Sequence, residues 1–84
     1  GVAMIKYSIK CFGVFRQFGD TLCVTVDAGS SVQQIKAALV QQLGEQHKTL
    51  VEESVLANDN AILPNAYILQ EETPLSILPP VCGG

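Results

Sequence analysis

The chain has no tryptophan, a single methionine and a single histidine, and only 15% of its 84 residues are charged. It also lacks an apolar run of the length that a membrane-spanning helix needs, which is about 20 residues. The amino-terminal residues alternate lysines with apolar residues and contain no continuous apolar segment of the kind found in secretory signals. We therefore expect neither a membrane partner nor export.

Positive charge is scarce and scattered along the sequence. Five basic residues stand against eight acidic ones, which gives a net charge of −3. The basic residues are Lys6, Lys10, Arg16, Lys36 and Lys48. Because binding to a phosphate backbone depends on clustered positive charge, this distribution argues against a nucleic acid partner.

Paired cysteines and metal-binding spacings are also missing. The three cysteines cannot all pair within one chain, and no C-x-x-C spacing occurs, so a reducing compartment, most simply the cytoplasm, suits the protein. Cys11 and Cys23 fall on predicted strands, where we expect both to be buried. His47 has no companion ligand nearby in sequence and is expected at the surface. With no glycine-rich phosphate loop, acid–base pair or metal-ligand cluster, no cofactor or metal site is predicted.

What the chain does have is apolar content, 48% of its residues, which is enough for one small core. Apolar residues alternate with polar ones from Ile5 to Cys11 and again from Leu22 to Val26, the period expected of strands with one buried face. The segment Gly13–Gly19 connects them. These two strands are predicted to pair as a hairpin.

The period changes to that of a helix after Ser31. Ser31 and Gln34 form a capping box, and apolar residues then recur at helical spacing from Val32 to Leu43. Lys36 falls among the polar positions away from the apolar stripe. Gly44 stands where the helix is expected to stop. The sequence therefore predicts one amphipathic helix over the sheet.

The second half of the chain contains shorter elements. We predict a short helix or turn over Glu45–Ser54, a hairpin of 55–57 and 61–63 around 58–60, inward-facing Ile68 and Leu69 in a loop, and a last strand over Leu75–Leu78. Together these elements predict an α+β domain in which one main helix packs on one face of a mixed sheet.

The last six residues, PPVCGG, combine the stiffest and the loosest backbones available. Pro79 and Pro80 cannot donate backbone hydrogen bonds, so the strand ends at Leu78 and the chain leaves in an extended direction. Six extended residues span at most about 20 Å, and Gly83 and Gly84 can pass through a channel too narrow for a side chain. The sequence thus predicts a body over residues 1–78 and a flexible, extended tail over 79–84.

The ending LSILPPVCGG resembles that of the small subunit of molybdopterin synthase, a family of ubiquitin-like sulfur carriers. KCFGVFRQFGD is similar to the family's first strand and arginine-containing loop, SSVQQIKAAL to its helix, and LANDNAIL to its hairpin. The resemblance implies a β-grasp fold with the first and last strands parallel in the middle of the sheet. Cys82 departs from the small hydroxyl residue common in the family, and Ile77 and Leu78 stand where aromatic residues are frequent.

The resemblance also implies a chemistry. The carboxylate of Gly84 would be adenylated by a ubiquitin-activating-type adenylyltransferase, and the ATP for this step would bind to that enzyme. A sulfur donor would then convert the adenylate to a thiocarboxylate. The tail would pass through a narrow channel into the molybdopterin synthase large subunit, which Gly83 permits because it has no side chain. There the thiocarboxylate would give its sulfur to cyclic pyranopterin monophosphate, within a heterotetramer of the two kinds of subunit. The chain would not be catalytic alone.

A partner also needs a surface on which to dock. The predicted partner-binding residues are Phe15, Arg16, Leu78, Pro79, Pro80, Val81 and Cys82. Phe12 and Phe18 are further candidates, with the alternative that the phenylalanines and Leu78 only close the core. At the level of function, a sulfur carrier for thiazole synthesis and a ubiquitin-like modifier or plain interaction domain remain open, since all of these can end in Gly-Gly.

Overall fold

The structure, a computed structural model, describes residues 3–80. Its first two strands form the predicted hairpin: β1 (Met4–Cys11) runs antiparallel to β2 (Thr21–Asp27), with Met4 opposite Asp27 and Lys10 opposite Thr21. Side chains alternate between buried and exposed along both strands. This confirms the prediction, made from the alternation of apolar and polar residues, that each of the two strands has one buried face.

A 3₁₀ turn over Gly13–Phe18 connects the two strands. Phe15, in the middle of this turn, is 0% exposed and belongs to the core. Phe12, which precedes the turn with an extended backbone, and Phe18 at the end of the turn are both half-buried.

Helix α1 (Val32–Leu43) begins and ends as predicted. The Ser31 hydroxyl accepts a hydrogen bond from the backbone N–H of Gln34, and the Gln34 side chain accepts one from the backbone N–H of Ser31, which completes the capping box. Gly44 follows the helix with a φ of +114°, a conformation that side chains disfavour. Val32, Ile35 and Leu39 are fully buried against the sheet.

A 3₁₀ turn (Glu45–His47) and helix α2 (Lys48–Glu52) confirm the short helix predicted after α1. Lys36 corrects another expectation, because it is 5% exposed rather than solvated. Its amino group donates hydrogen bonds to the carbonyl oxygens of Ser54 (2.7 Å) and Glu52 (3.3 Å) and to Oδ1 of Asn65 (2.8 Å). Lys36 thus joins α1 to the end of α2 and to the loop at Asn65.

The remaining strands of the main sheet are β4 (Val55–Ala57), β5 (Ile62–Leu63) and β7 (Leu75–Leu78). The predicted hairpin of β4 and β5 is confirmed, and the Asn58 side chain closes its turn by accepting from the backbone N–H groups of Asn60 and Ala61. The strand order is β2-β1-β7-β4-β5, and the β1–β7 pair is parallel in an otherwise antiparallel sheet.

A second, two-stranded sheet was not predicted. β3 (Ser30–Ser31) pairs with β6 (Ile68–Leu69), so the segment assigned to a loop is a short strand. Leu69 points inward as expected, but Ile68 is 48% exposed because alternation along a strand turns the two residues to opposite sides.

The fold matches the expected architecture: a mixed sheet with the first and last strands parallel at its centre and one main helix on one face. The core lies between this helix and the sheet. Within residues 3–80, no helix has the length and apolar content needed to cross a membrane.

Candidate functional site

The chain leaves the body from the middle of the sheet. β7 is bonded on one side to β1 and on the other to β4, and the backbone N–H of Phe12 donates to the carbonyl oxygen of Ile77 at 3.1 Å. Pro79 and Pro80 follow and end the ladder, because neither has a backbone N–H. The direction in which the tail departs is therefore set by strands on both sides.

Gly13 packs directly against the first residue of the tail. Its backbone has a φ of +58°, and a Cβ at this position would lie 2.8 Å from Cγ of Pro79. The Gly13–Phe18 turn thus meets the tail at its origin. The tail residues Val81, Cys82, Gly83 and Gly84 lie outside the described residues, so the roles predicted for them stay predictions.

An apolar groove of about 420 Å³ lies beside this exit. We call it the exit groove; it is lined by Val55, Ala57, Ile62, Leu78, Pro79 and Pro80. It belongs to the open face, the side of the sheet opposite α1. Strand pairing explains its composition, since residues opposite one another on neighbouring strands share a face: Leu78 pairs with Val55, and Ile62 pairs with Ala57.

The groove exposes large aliphatic side chains. Ile62 is 69% exposed and Leu78 is 36% exposed, whereas Leu75 and Ile77 on the same strand as Leu78 are buried. The alternative that Leu78 only closes the core therefore does not hold. Contiguous exposed apolar surface of this kind is typical of protein interaction sites.

The phenylalanines do not join the surface equally. Phe15 is a core residue, so the docking surface predicted from the sequence has to be drawn without it. Phe18 is half-buried and meets the ring of His47, which is also half-buried, at a centroid distance of 4.8 Å. Phe12 is half-buried next to Leu78, and Nζ of Lys10 lies 5.3 Å from the centre of its ring. Arg16 is exposed on the turn beside them.

The two described cysteines differ from the expectation in one respect. Cys11 is buried, and burial together with the negative charge of Asp20 raises the pKa of its thiol. Cys23 is exposed, which contradicts the prediction that both are buried. Its neighbours Leu22 and Val24 face the core, so alternation places Cys23 on the open face, where its Sγ lies 3.8 Å from Oγ of Ser8.

The main surface feature of the described residues is apolar and lies next to the exit of the chain. Among residues 3–80, no group of three or more His, Cys, Asp or Glu side chains is placed to hold a metal ion. The features that stand out are the exit groove, the exposed aliphatic side chains within it and a chain that departs beside them.

The fold and this exit define a ubiquitin-like β-grasp protein. The crystal structure of SAMP1 from Haloferax volcanii is similar, with a TM-score of 0.75 over 95% of this chain and 100% of that chain, at 18% sequence identity. The ThiS family profile matches residues 9–84, and the chain belongs to this family of ubiquitin-like sulfur carriers, which work with partner enzymes. No curated protein sequence matches it significantly.

Proposed function

We propose that the protein is the sulfur-carrying small subunit of a molybdopterin synthase, with Gly84 as the residue that holds the sulfur. The observation that carries the proposal is the family match, which runs to residue 84 and so includes Gly83 and Gly84. The P-P-V-x-G-G pattern that follows β7 favours this subunit over other sulfur carriers.

The chemistry would take place on the terminal carboxylate. A carboxylate is a poor electrophile because attack adds charge to oxygens that are already anionic. In the activating enzyme, the Gly84 carboxylate would attack the α-phosphate of ATP and release pyrophosphate. Sulfide released by the donor would then attack the acyl carbon and displace AMP, which leaves a thiocarboxylate. Two successive carriers would supply the two sulfur atoms of the dithiolene made from cyclic pyranopterin monophosphate.

The described residues support a scheme in which this chain carries the sulfur and its partner enzymes supply the catalytic groups. The exit groove offers apolar surface to the activating enzyme and to the large subunit, while Pro79 and Pro80 keep the tail from continuing the sheet. ATP, acid–base groups and the pterin pocket would belong to those partners. We place the assembly, a heterotetramer with the large subunit, in the cytoplasm, where cysteines stay reduced.

Intact-mass spectrometry tests the proposal. The protein is incubated with ATP, a ubiquitin-activating-type enzyme and a sulfur donor, and the variant that lacks Gly84 serves as the control. A mass increase equal to the exchange of one oxygen for sulfur, absent from the control, is the expected result. Attachment of the chain to larger proteins instead would show a ubiquitin-like modifier and overturn the assignment.

A second assay identifies the pathway. The thiocarboxylate form is mixed with the molybdopterin synthase large subunit and cyclic pyranopterin monophosphate, and molybdopterin is measured by its oxidised fluorescent derivative. Formation of molybdopterin is expected. If the sulfur is delivered only when thiazole-forming enzymes replace the large subunit, the protein is a carrier of the thiazole pathway.

A further inference from the structure

Lys10 stands at the border of the exit groove on the open face. Strand pairing places Lys10 opposite Ser76, Ser76 opposite Ala57, and Ala57 opposite Ile62, so the four residues form one row across four strands. Neighbouring strands are about 4.8 Å apart, which puts the backbone of Lys10 roughly 10 Å from that of Ala57 in the groove. A partner that covers the groove therefore reaches Lys10.

The Lys10 side chain lies toward the apolar end of this face. Its Nζ is 5.3 Å from the centre of the Phe12 ring, within the range of a cation–π contact. The backbone of Phe12 is hydrogen-bonded to β7 at Ile77, next to Leu78. A protein surface that packs on Leu78 and the Phe12 ring would consequently also cover the ammonium group of Lys10.

Covering an ammonium group has a cost that depends on its partner. Burial of a charge without a counter-charge is strongly unfavourable, whereas burial against a carboxylate is compensated. The other residues of the row, Ser76, Ala57 and Ile62, are uncharged, and so are the neighbours Phe12, Leu78 and Val55. Since no carboxylate lies in these two rows, a partner that covers the groove and Lys10 together can supply the compensating one.

We propose that the protein partner of the exit groove carries an Asp or Glu carboxylate that pairs with Lys10, next to an apolar side chain that fills the groove. This inference rests on the proposed function, because it describes the surface that the activating enzyme presents. The apolar contact supplies affinity, and the charge pair fixes the orientation in which the tail is delivered.

The test is a binding measurement with the activating enzyme at low and at moderate ionic strength. Lys10→Glu is compared with Lys48→Glu, which reverses the charge of an exposed lysine on α2, an element packed on α1 on the other side of the sheet. We expect Lys10→Glu to weaken binding about tenfold at low salt and to reduce the salt dependence, because a charge pair at an interface is screened by salt. Lys48→Glu is expected to change affinity less than twofold.

A second variant and a second method keep the outcome clear. Lys10→Gln retains the stem and removes the charge, so it is expected to weaken binding in the same direction without repulsion. Carbodiimide treatment of the wild-type complex activates a carboxylate, and attack by the Lys10 amine forms an amide with release of the urea. A cross-linked peptide that contains Lys10 is expected.

The outcomes separate this inference from the function on which it rests. If Ile62→Ala weakens binding but both Lys10 variants bind like the wild type, the groove docks the partner and the Lys10 pairing is wrong. Cross-links formed only through Lys6 or Lys48 would overturn it as well. Failure of the wild-type protein to acquire sulfur would refute the carrier function. The binding measurement would still test whether Lys10 pairs with a carboxylate of the partner.

Discussion

Ile62 and Leu63 are neighbours on β5 with opposite surroundings, and they make a matched pair of probes. Ile62 is 69% exposed in the exit groove, while Leu63 is 5% exposed in the core. Truncation of each to alanine removes a similar aliphatic group. Only the direction in which the side chain points differs, so any difference between the variants reports which face serves folding and which serves docking.

The magnitudes follow from the exposed fractions. Full burial of an aliphatic side chain contributes about 1.5–3 kcal/mol, so the 69% of Ile62 that is still exposed can give a partner up to about 1–2 kcal/mol. This corresponds to an affinity loss of up to roughly 5- to 30-fold for Ile62→Ala. The buried third of the side chain accounts for only about 0.5–1 kcal/mol of folding free energy.

Leu63→Ala reverses this balance. Truncation of a buried leucine costs about 2–5 kcal/mol of stability, because transfer free energy is lost and a cavity remains. For a domain of this size each kcal/mol lowers Tm by about 4–8 °C, so a fall of roughly 10 °C or more is expected. The folded fraction of Leu63→Ala should still bind the activating enzyme with nearly wild-type affinity.

Thermal denaturation followed by circular dichroism gives the stability of both variants, and calorimetric titration with the activating enzyme gives the affinity below both melting temperatures. If Ile62→Ala lowers Tm as much as Leu63→Ala does, Ile62 is a core residue and the groove is not a free surface. If Ile62→Ala melts like the wild type and also binds like it, the partner docks elsewhere.

Three further predictions concern other residues. Leu78→Lys should weaken binding to the large subunit by more than it lowers Tm, since Leu78 is exposed; the reverse result would place Leu78 in the core. Lys36→Met should cost about 2 kcal/mol in urea denaturation, because carbonyl oxygens of the α2 end lose their donor; an unchanged midpoint would contradict this role. Burial raises the pKa of Cys11 above its ordinary value of 9.0, so the unfolded chain loses the proton first and stability should fall as pH rises above about 9; Cys11→Ala should flatten this slope, and an equal slope in both proteins would refute the assignment.

The elements with a long regular period could be predicted from the sequence. β1, β2 and α1 each repeat their period over several residues, and a single capping box marks the start of the helix. The β6 strand escaped prediction because two residues, Ile68 and Leu69, cannot display a period of two. Its existence depends on pairing with Ser30 and Ser31, which lie far away in the sequence.

Two errors have different causes. The exposure of Cys23 could have been predicted, since Leu22 and Val24 already assign the core face of β2 and the residue between them must point away. The burial of Lys36 could not, because its acceptors at Glu52, Ser54 and Asn65 come from segments 16 to 29 residues further along the chain. Only tertiary structure brings them to one amino group.

The candidate site could be predicted only in part, because some of its residues follow from strand alternation and others depend on tertiary structure. Alternation along β7 separates Ile77 from Leu78, so the exposed apolar residue beside the tail follows from the sequence. Phe15 was misplaced because it lies in a connecting turn, and such a turn has no strand period that would mark its inward side. The groove itself needs β5, whose Ile62 joins the surface only through pairing with β4.

The position of β7 in the sheet also explains how a small body could orient a reacting terminus. An edge strand is bonded on one side and can fray, whereas β7 is bonded to β1 and β4 on its two sides. A partner that pulls on the tail would have to break ladder bonds on both sides before it could turn the strand. The contact of Pro79 with Gly13 then fixes the first step beyond the sheet. Rigidity of the body up to Pro79 is thus what would let binding at the exit groove determine where Gly84 arrives.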